Sequence, residues 1–281
     1  YIKALSKKFN SRISLLVKES SKADQYLYQT NYIDKILILE RDDKNKSRHS
    51  GFLGSINLIK DLKKYNFDKI FIFNSSFRYF IISKLANIKK IYKYKLFSKK
   101  NQNIIETARI FLKSTLNIDV DSNPIISVNS QKVEDAKVKY KINDNEKNIL
   151  LGVGGSGPTK RVEPEKFIEL IKLCLENFKC KFFLAAGSNE IEELIVKKIL
   201  NTEYGEKCIA LNKLKISEIL PIIKNCNISI CNDTSFSHLS AALNIKTITL
   251  MADTPLIYGS YNSKMFPIIP DGENTVNHNT S

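Results

Sequence analysis

Two short stretches of this 281-residue chain carry side chains suited to a phosphorylated substrate. The first is Gly152-Val153-Gly154-Gly155-Ser156-Gly157-Pro158-Thr159-Lys160-Arg161, directly after an apolar run. Its glycines leave backbone N–H groups accessible, Ser156 and Thr159 add hydroxyls, and Lys160 adds a cation. Those parts bind phosphate. Gly152, Gly154 and Gly157 match the spacing of a dinucleotide fingerprint, yet Pro158 interrupts where the helix of that motif should open. Pro164 is the better first helical residue. A Walker A loop also fails, because Gly157 is followed by Pro rather than Lys-Ser/Thr.

The second stretch is Ile230-Cys231-Asn232-Asp233-Thr234-Ser235-Phe236-Ser237-His238-Leu239, an apolar strand running into polar residues and then a helix. A helix cap accounts for one of these residues. Four in a row, with His238 one turn on, exceed that need. The helix N-terminus offers donors to a diphosphate, and Asp233 can meet sugar hydroxyls or a developing charge. A third, weaker signal is Gly187-Ser188-Asn189-Glu190, where a carboxylate at a strand end could accept from both hydroxyls of a ribose. A glutamate at a helix start is equally explained by the helix dipole.

Other chemistries find no support. Asp119-Val120-Asp121 spells the D-x-D string of a metal–diphosphate site but lies between a helix and Pro124, where a solvated loop is expected. There is no H-E-x-x-H, no G-x-S-x-G and no paired Cys/His set. His49, His238 and His278 are far apart, so no metal site is expected.

These stretches must be positioned by strands and helices in alternation. Strands are expected at 12–17, 34–40 and 68–73, with helical spacing at 52–65, 76–87 and 102–117. Polar residues 129–148 hold one possible helix and the expected boundary, giving domains 1–145 and 146–281. Beyond it follow strand 148–153, helix 164–177, strand 181–186, helix 190–201 and strand 206–211. Helix 216–224, strand 227–232, helix 236–243 and strand 246–251 complete the series. The pattern predicts an α/β fold of two Rossmann-like domains with parallel sheets facing across a cleft, and ligands at the carboxyl ends of the strands.

Hydrophobic residues make up 43% of the chain, enough for a real core, and no apolar run approaches the roughly 18 residues that span a bilayer. No signal-peptide pattern stands at the start, and Tyr1 in place of Met implies a native start upstream. Cys174, Cys180, Cys208, Cys226 and Cys231 form no C-x-x-C pair and are expected as buried, reduced thiols, fitting a reducing cytoplasm. The net charge of +15 is concentrated in residues 1–100, which hold 23 Lys+Arg against 8 Asp+Glu. Residues 84–100 carry seven lysines and no acid, interleaved with Tyr92, Tyr94 and Phe97. Such a half fits an anionic partner: a membrane surface, a phosphorylated lipid or nucleic acid. No base-reading motif accompanies it, so nucleic acid is not expected.

Residues 155–167 (GSGPTKRVEPEKF) and 231–250 (CNDTSFSHLSAALNIKTITL) together resemble glycosyltransferase family 9, the ADP-heptose:lipopolysaccharide heptosyltransferases. The first segment is similar to that family's small residues, Thr-Lys-Arg and helix opening at Pro. The second is similar to its Gly-Asn-Asp-Ser-Gly-Pro-x-His-Leu-Ala-Ala-Ala-Leu-Gly run. Weaker likeness extends over nearly the whole chain. The resemblance implies a GT-B fold, with the nucleotide-sugar on the C-terminal domain and the acceptor on the N-terminal one. It implies inverting transfer of a heptose from ADP-heptose to a lipid-linked glycan at the inner face of the cytoplasmic membrane, without metal or cofactor. Carried over, Lys160 neutralises the donor diphosphate and forms the catalytic pair with Asp233. Gly154, Gly155, Ser156, Thr159, Thr234, Ser235 and His238 complete the donor site. Glu190 is the ribose contact, or Glu192 if the register shifts.

Asn74 and Arg78 are candidate acceptor contacts, and Lys84, Lys89, Lys90, Lys93 and Lys95 candidate docking residues for an anionic membrane. The chain departs from the family pattern at Thr234-Ser235-Phe236 (for Ser-Gly-Pro), at Asn244 (for Gly) and at Met251–Pro255. The family's first strand and its general-base Asp are expected upstream of Tyr1. A non-catalytic nucleotide-sugar or glycan-binding relative is the alternative reading.

Overall fold

Helix and strand alternate in the computed structural model, which describes residues 1–27, 30–41, 47–94, 103–121, 123–251 and 262–269. The chain divides into two compact units. One comprises Tyr1–Asp24 and Asn31–Asp121; the other comprises Gln25–Thr30 and Ser122–Ser281.

In the first unit the described strands form two parallel pairs. Strand β1 (Ile13–Lys18) lies beside β2 (Ile33–Leu39), and β3 (Lys69–Ile72) lies beside β4 (Lys90–Lys93). The helices are α1 (Ile2–Phe9), a short α2 (Ala23–Tyr26) at the division, α3 (Gly51–Lys63), α4 (Phe77–Leu85) and α5 (Ile104–Leu116). Side-chain alternation sorts the core into two layers. Leu39, Ile70 and Ile91 pack with Leu58 and Leu62 of α3 and Ile82 of α4. Phe71 and Tyr92 point the other way, onto Leu5, Phe111 and Leu112 of α1 and α5.

Strand β4 falls inside the lysine-rich stretch. Tyr92 stacks on Phe71 at 4.7 Å between ring centroids, and Tyr94 meets Phe111 edge-on at 5.1 Å. The two tyrosines expected at an interface therefore serve the core of this unit. Strand signals were faint there because a four-residue strand bounded by Lys90 and Lys93 offers only two apolar positions, Ile91 and Tyr92.

The second unit begins with α6 (Ser130–Lys139), followed by β5 (Lys147–Gly152), α7 (Pro164–Asn177), β6 (Cys180–Ala185), α8 (Glu190–Leu200) and β7 (Cys208–Ala210). Then come α9 (Ile216–Lys224), β8 (Ile228–Asn232), α10 (Ser235–Ala242), β9 (Lys246–Leu250) and β10 (Met265–Ile268). All six strands are parallel, in the order β10-β9-β8-β5-β6-β7. Ile149, Leu151, Phe182 and Leu184 face Phe167 and Ile171 of α7 and Ile199 of α8. Leu150, Phe183 and Cys231 face Ile219, Ile222 and Ile223 of α9 and Leu239 of α10. Helices cover both faces, so the central strands read as continuous apolar runs rather than alternating ones.

Residues 122–145 belong to this second unit, ahead of the boundary expected at 145/146. Polarity masked the attachment: α6 is a mostly exposed helix whose Ala136, with Ile142 just beyond it, is buried in the core beside α9. Asn129 caps α6, its Oδ1 accepting from the N–H groups of Gln131 (2.8 Å) and Lys132 (3.3 Å).

Asparagine does much of the work that glycine does elsewhere. Five of the seven described non-glycine residues with positive φ are Asn: Asn10, Asn66, Asn87, Asn117 and Asn244. Asn244, at φ 68°, stands where the heptosyltransferase pattern has glycine. The backbone shape that calls for glycine is kept, with the side chain that best tolerates it. The five cysteines are free; Cys174 is half-buried and the other four are buried.

Asp61 of α3 anchors the loop at the end of β2. Arg48 grips its carboxylate with two nitrogens (2.7 and 3.1 Å), and His49 Nε2 lies 3.1 Å away. Burial opposes ionisation of Asp61, but hydrogen bonds from Arg48, His49 and Lys64 outweigh it and hold the pKa at about 2. A carboxylate with a depressed pKa stabilises the fold above its unfolded value of 3.8 and loses that contribution as pH falls toward 2. We predict that Asp61→Asn lowers the Tm at pH 7 and shrinks the Tm loss between pH 4 and pH 2, both measured by thermal denaturation.

Candidate functional site

Strand β5 lies between β6 and β8, and this is where the order of strands along the chain reverses direction across the sheet. The carboxyl ends of strands at such a reversal are the usual ligand position in open parallel sheets. Both strong sequence motifs leave the sheet at this point.

Gly152 pairs with Cys231 so closely that a Cβ on Gly152 would come within 2.7 Å of the cysteine Sγ. Only glycine lets the two strands meet at that distance. Asn232 then ties the loops together. Its Nδ2 donates to the carbonyls of Val153 (3.1 Å) and Gly154 (3.0 Å), and its Oδ1 accepts from the N–H of Val162 (3.3 Å). Asn232 is fully buried, and these bonds account for its burial.

Held in this way, the loop after β5 folds into a single 3-10 turn, Pro158–Lys160, and brings Lys160 to Asp233. Lys160 Nζ donates to Asp233 Oδ2 at 2.5 Å. The aspartate side chain is 5% exposed and the lysine 26%, so the pair is screened on the carboxylate side and open on the ammonium side. His238, one turn into α10, is electrostatically coupled to both. Burial lowers its pKa, Lys160 lowers it further and Asp233 opposes the shift, so the imidazole is neutral near pH 7.

Helix α10 starts immediately after Asp233. Thr234 is its N-cap by position but provides no side-chain cap bond. Its Oγ1 is buried without a hydrogen-bond partner among the described residues. Ser237 Oγ donates instead to the Thr234 carbonyl at 2.7 Å. Cys231 sits beneath, fully buried, and burial pushes its thiol pKa up to about 12, which makes it inert.

On the other side of β5, the loop after β6 holds a carboxylate against the glycine loop. That carboxylate is Glu192, 7% exposed. It accepts from the Gly187 N–H and from Asn189 Nδ2 (2.6 Å), while the Glu192 N–H donates to Asn189 Oδ1 at 3.1 Å. This is a variant of the capping box that starts α8. A Cβ on Gly154 would overlap Glu192 Oε2, so glycine is required there as well. Glu190, the other candidate at this strand end, is exposed at the first position of α8.

Of the residues singled out by sequence, the fold brings together Gly154, Gly155, Lys160, Asp233, Thr234 and His238. Ser156 and Thr159 on the loop after β5, and Ser235 at the first position of α10, are exposed. Asn74 and Arg78 belong to the first unit. Asn74 Oδ1 accepts from the Ser76 N–H at 2.7 Å in a local turn. Arg78 braces the start of α3, with Nε on Ser55 Oγ (3.0 Å) and Nη2 on the His49 carbonyl (2.6 Å). Asp119 pairs with Lys113 on the surface. Lys95, Phe97, His278 and residues 252–255 lie outside the described residues. Sequence reasoning missed Asn232 as the clasp of the site. Its signal was available: an Asn closing an apolar strand is too polar for the core unless it bonds backbone on both sides.

A six-stranded parallel sheet with a cation–carboxylate pair at its switch point, together with a second α/β unit of parallel strands, matches the GT-B-type fold. The sequence model of Glycosyltransferase family 9 (heptosyltransferase) matches residues 56–268, and the chain belongs to that family of glycosyltransferases. A similar curated protein is lipopolysaccharide heptosyltransferase 1 of Campylobacter coli, 23% identical over an alignment of 294 positions covering 96% of this chain and 84% of that protein. Among solved structures, the ADP-heptose LPS heptosyltransferase II of E. coli is similar at a TM-score of 0.74, with 15% identity and coverage of 95% of this chain and 84% of that one. E. coli heptosyltransferase WaaC with ADP gives a TM-score of 0.72, with 15% identity and coverage of 96% and 88%.

Replacing Asn232 by Ala strands two carbonyls and one N–H inside the protein. Leaving buried groups unsatisfied costs about 1–3 kcal/mol each, reduced where the chain can relax. We predict a total destabilisation of roughly 2–4 kcal/mol for Asn232→Ala, read as a fall in urea midpoint without a change in slope.

Proposed function

We propose that the chain transfers a heptose, with inversion and without a metal ion, from ADP-heptose to a lipopolysaccharide core acceptor on the cytoplasmic face of the membrane. The observation carrying this reading is the Lys160–Asp233 pair at the end of β8, beside the N-terminus of α10. A nucleotide-sugar leaves as a diphosphate, and the developing negative charge must be met by preorganised positive charge. Lys160, open on its ammonium side, and the first N–H groups of α10 are the groups placed for that task. Asp233 keeps Lys160 in position until the diphosphate arrives, then shares the ammonium with it while its second oxygen meets the sugar.

The buried Thr234 hydroxyl supports the same assignment. A hydroxyl held out of water without a partner is costly unless a ligand satisfies it. Glu192, rather than Glu190, is the ribose contact in this reading: it is the carboxylate that faces the glycine loop, whereas Glu190 faces solvent. Gly154, Gly155, Ser156, Thr159, Ser235 and His238 line the donor, and no cofactor takes part. ADP as the nucleotide rests on the two E. coli structures, an ADP-heptose LPS heptosyltransferase and a heptosyltransferase with ADP. The lipopolysaccharide acceptor rests on the Campylobacter coli relative.

The test is a thermal-shift panel of ADP, UDP, GDP and their sugar conjugates, followed by transfer assays in EDTA. ADP and ADP-heptose are expected to raise the Tm, and transfer is expected to survive chelation. Lys160→Ala should abolish the ligand-induced shift and lower the stability of the free protein by about 1–3 kcal/mol, because Asp233 is left buried without its cation. Lys160→Arg should restore the stability but only part of the transfer rate, since a planar fork replaces a compact point charge. No Tm response to any nucleotide would overturn the donor site; transfer that stops with EDTA and resumes with Mg²⁺ would overturn metal independence.

A further inference from the structure

Between Asp68 and Glu106 the chain has no acidic residue and nine Lys or Arg. Helix α4 lies in this stretch, and its outward face is apolar. Phe77, Ile81 and Leu85, spaced i, i+4, i+8, are 51%, 42% and 54% exposed, while Ile82 and Ser83 on the opposite face are buried. Phe80 lies along the same edge, with its ring centroid 5.7 Å from that of Phe77. A surface helix normally turns its apolar stripe to the core and its polar face to water. In α4 a second apolar stripe faces outward.

Lysines frame it. Lys93 and Lys84 place Nζ 4.8 and 5.9 Å from the Phe80 ring centroid, and Lys89 and Lys90 are exposed just beyond the helix. Arg78 ties the first turn of α3 to the first turn of α4 through its bonds to Ser55 and Gly51. That turn carries Phe52 and Leu53, 81% and 73% exposed. Aromatic and aliphatic side chains set among lysines, with no acid in the segment, match the boundary of an anionic bilayer. Nucleic acid would engage the lysines but has no use for Ile81 and Leu85.

We propose that the outward face of α4, with the first turn of α3, docks on an anionic lipid surface. Phe77, Ile81 and Leu85 enter the headgroup boundary and Lys84, Lys89 and Lys90 pair with lipid phosphates. This surface is independent of the donor site in the other unit.

Vesicle co-flotation of the full chain tests it, comparing phosphatidylcholine alone with phosphatidylcholine mixed with phosphatidylglycerol. Binding is expected on the mixed vesicles only and should weaken with salt. The triple variant Lys84→Ala, Lys89→Ala, Lys90→Ala should lower the partition by about fivefold per lysine, on the order of 100-fold in all. Ile81→Ser with Leu85→Ser should lower it by at least 10-fold while the ADP-induced Tm shift stays unchanged, because both residues lie on the exposed face of α4, outside the unit that holds the donor site. Val138→Ser, 78% exposed on α6, should have no effect. Equal binding to both vesicle types, or binding that survives both sets of substitutions, overturns the proposal. A dimer that Ile81→Ser with Leu85→Ser makes monomeric, without vesicle binding, assigns the face to a second copy instead. Duplex DNA that binds equally well to wild type and to this variant, where vesicles do not bind, assigns the lysines to nucleic acid.

Discussion

At the end of β5 the chain has no room for a side chain. Gly152 sits against Cys231 of β8, and this close approach of two parallel strands sets the geometry of everything above it. It brings the glycine loop and the Asn232-Asp233-Thr234 turn within reach of one side chain, Asn232, which bonds backbone from both sides. The Lys160–Asp233 pair is a consequence of that clasp. A lysine on a glycine-rich loop has many conformations to lose, and pairing pays off only once the backbone is restrained. The restraint comes from below, through Gly152, Cys231 and Asn232, rather than from the ion pair itself.

The pair is also poised rather than saturated. A fully buried ion pair gains little over apolar packing, because two charges must be desolvated. Here only the carboxylate is enclosed, and the ammonium keeps contact with water. Under the proposed function this asymmetry has a use: a diphosphate can reach the cation without first breaking a sealed pair. On the other flank, Glu192 is held by Gly187 and Asn189 and excludes any side chain at Gly154. Gly152 and Gly154 are required by close approach to Cys231 and Glu192. None of the loop's glycines from Gly152 to Gly157 has a positive φ.

The first unit follows a different logic. Its aromatic residues divide between a packed cluster around Phe71, Phe73, Tyr92, Tyr94 and Phe111 and an exposed set on α3 and α4. The lysine-rich stretch feeds both, since β4 contributes rings to the core while its flanking lysines remain outside. Basic charge and exposed apolar surface thus coincide on one face.

The alternation of strand and helix, the parallel sheets and the start of α7 at Pro164 were legible in the sequence, because a strand covered on both faces must be apolar throughout and a helix must show its own period. The Lys160 loop and the Asp233 turn were legible as two separate motifs, and their resemblance to a heptosyltransferase pattern was strong enough to name the family. Contacts distant along the chain were not legible. Whether Glu190 or Glu192 turns inward depends on where the cap of α8 falls, which Asn189 decides. Tyr92 and Tyr94 read as interfacial until Phe71 of β3 and Phe111 of α5 supplied the partners that draw them into the core. Asn232 read as one polar residue among four until β5 was placed beside it. Local pattern carries periodicity and chemistry; partner and orientation belong to the tertiary structure, because they depend on which strand lies next to which.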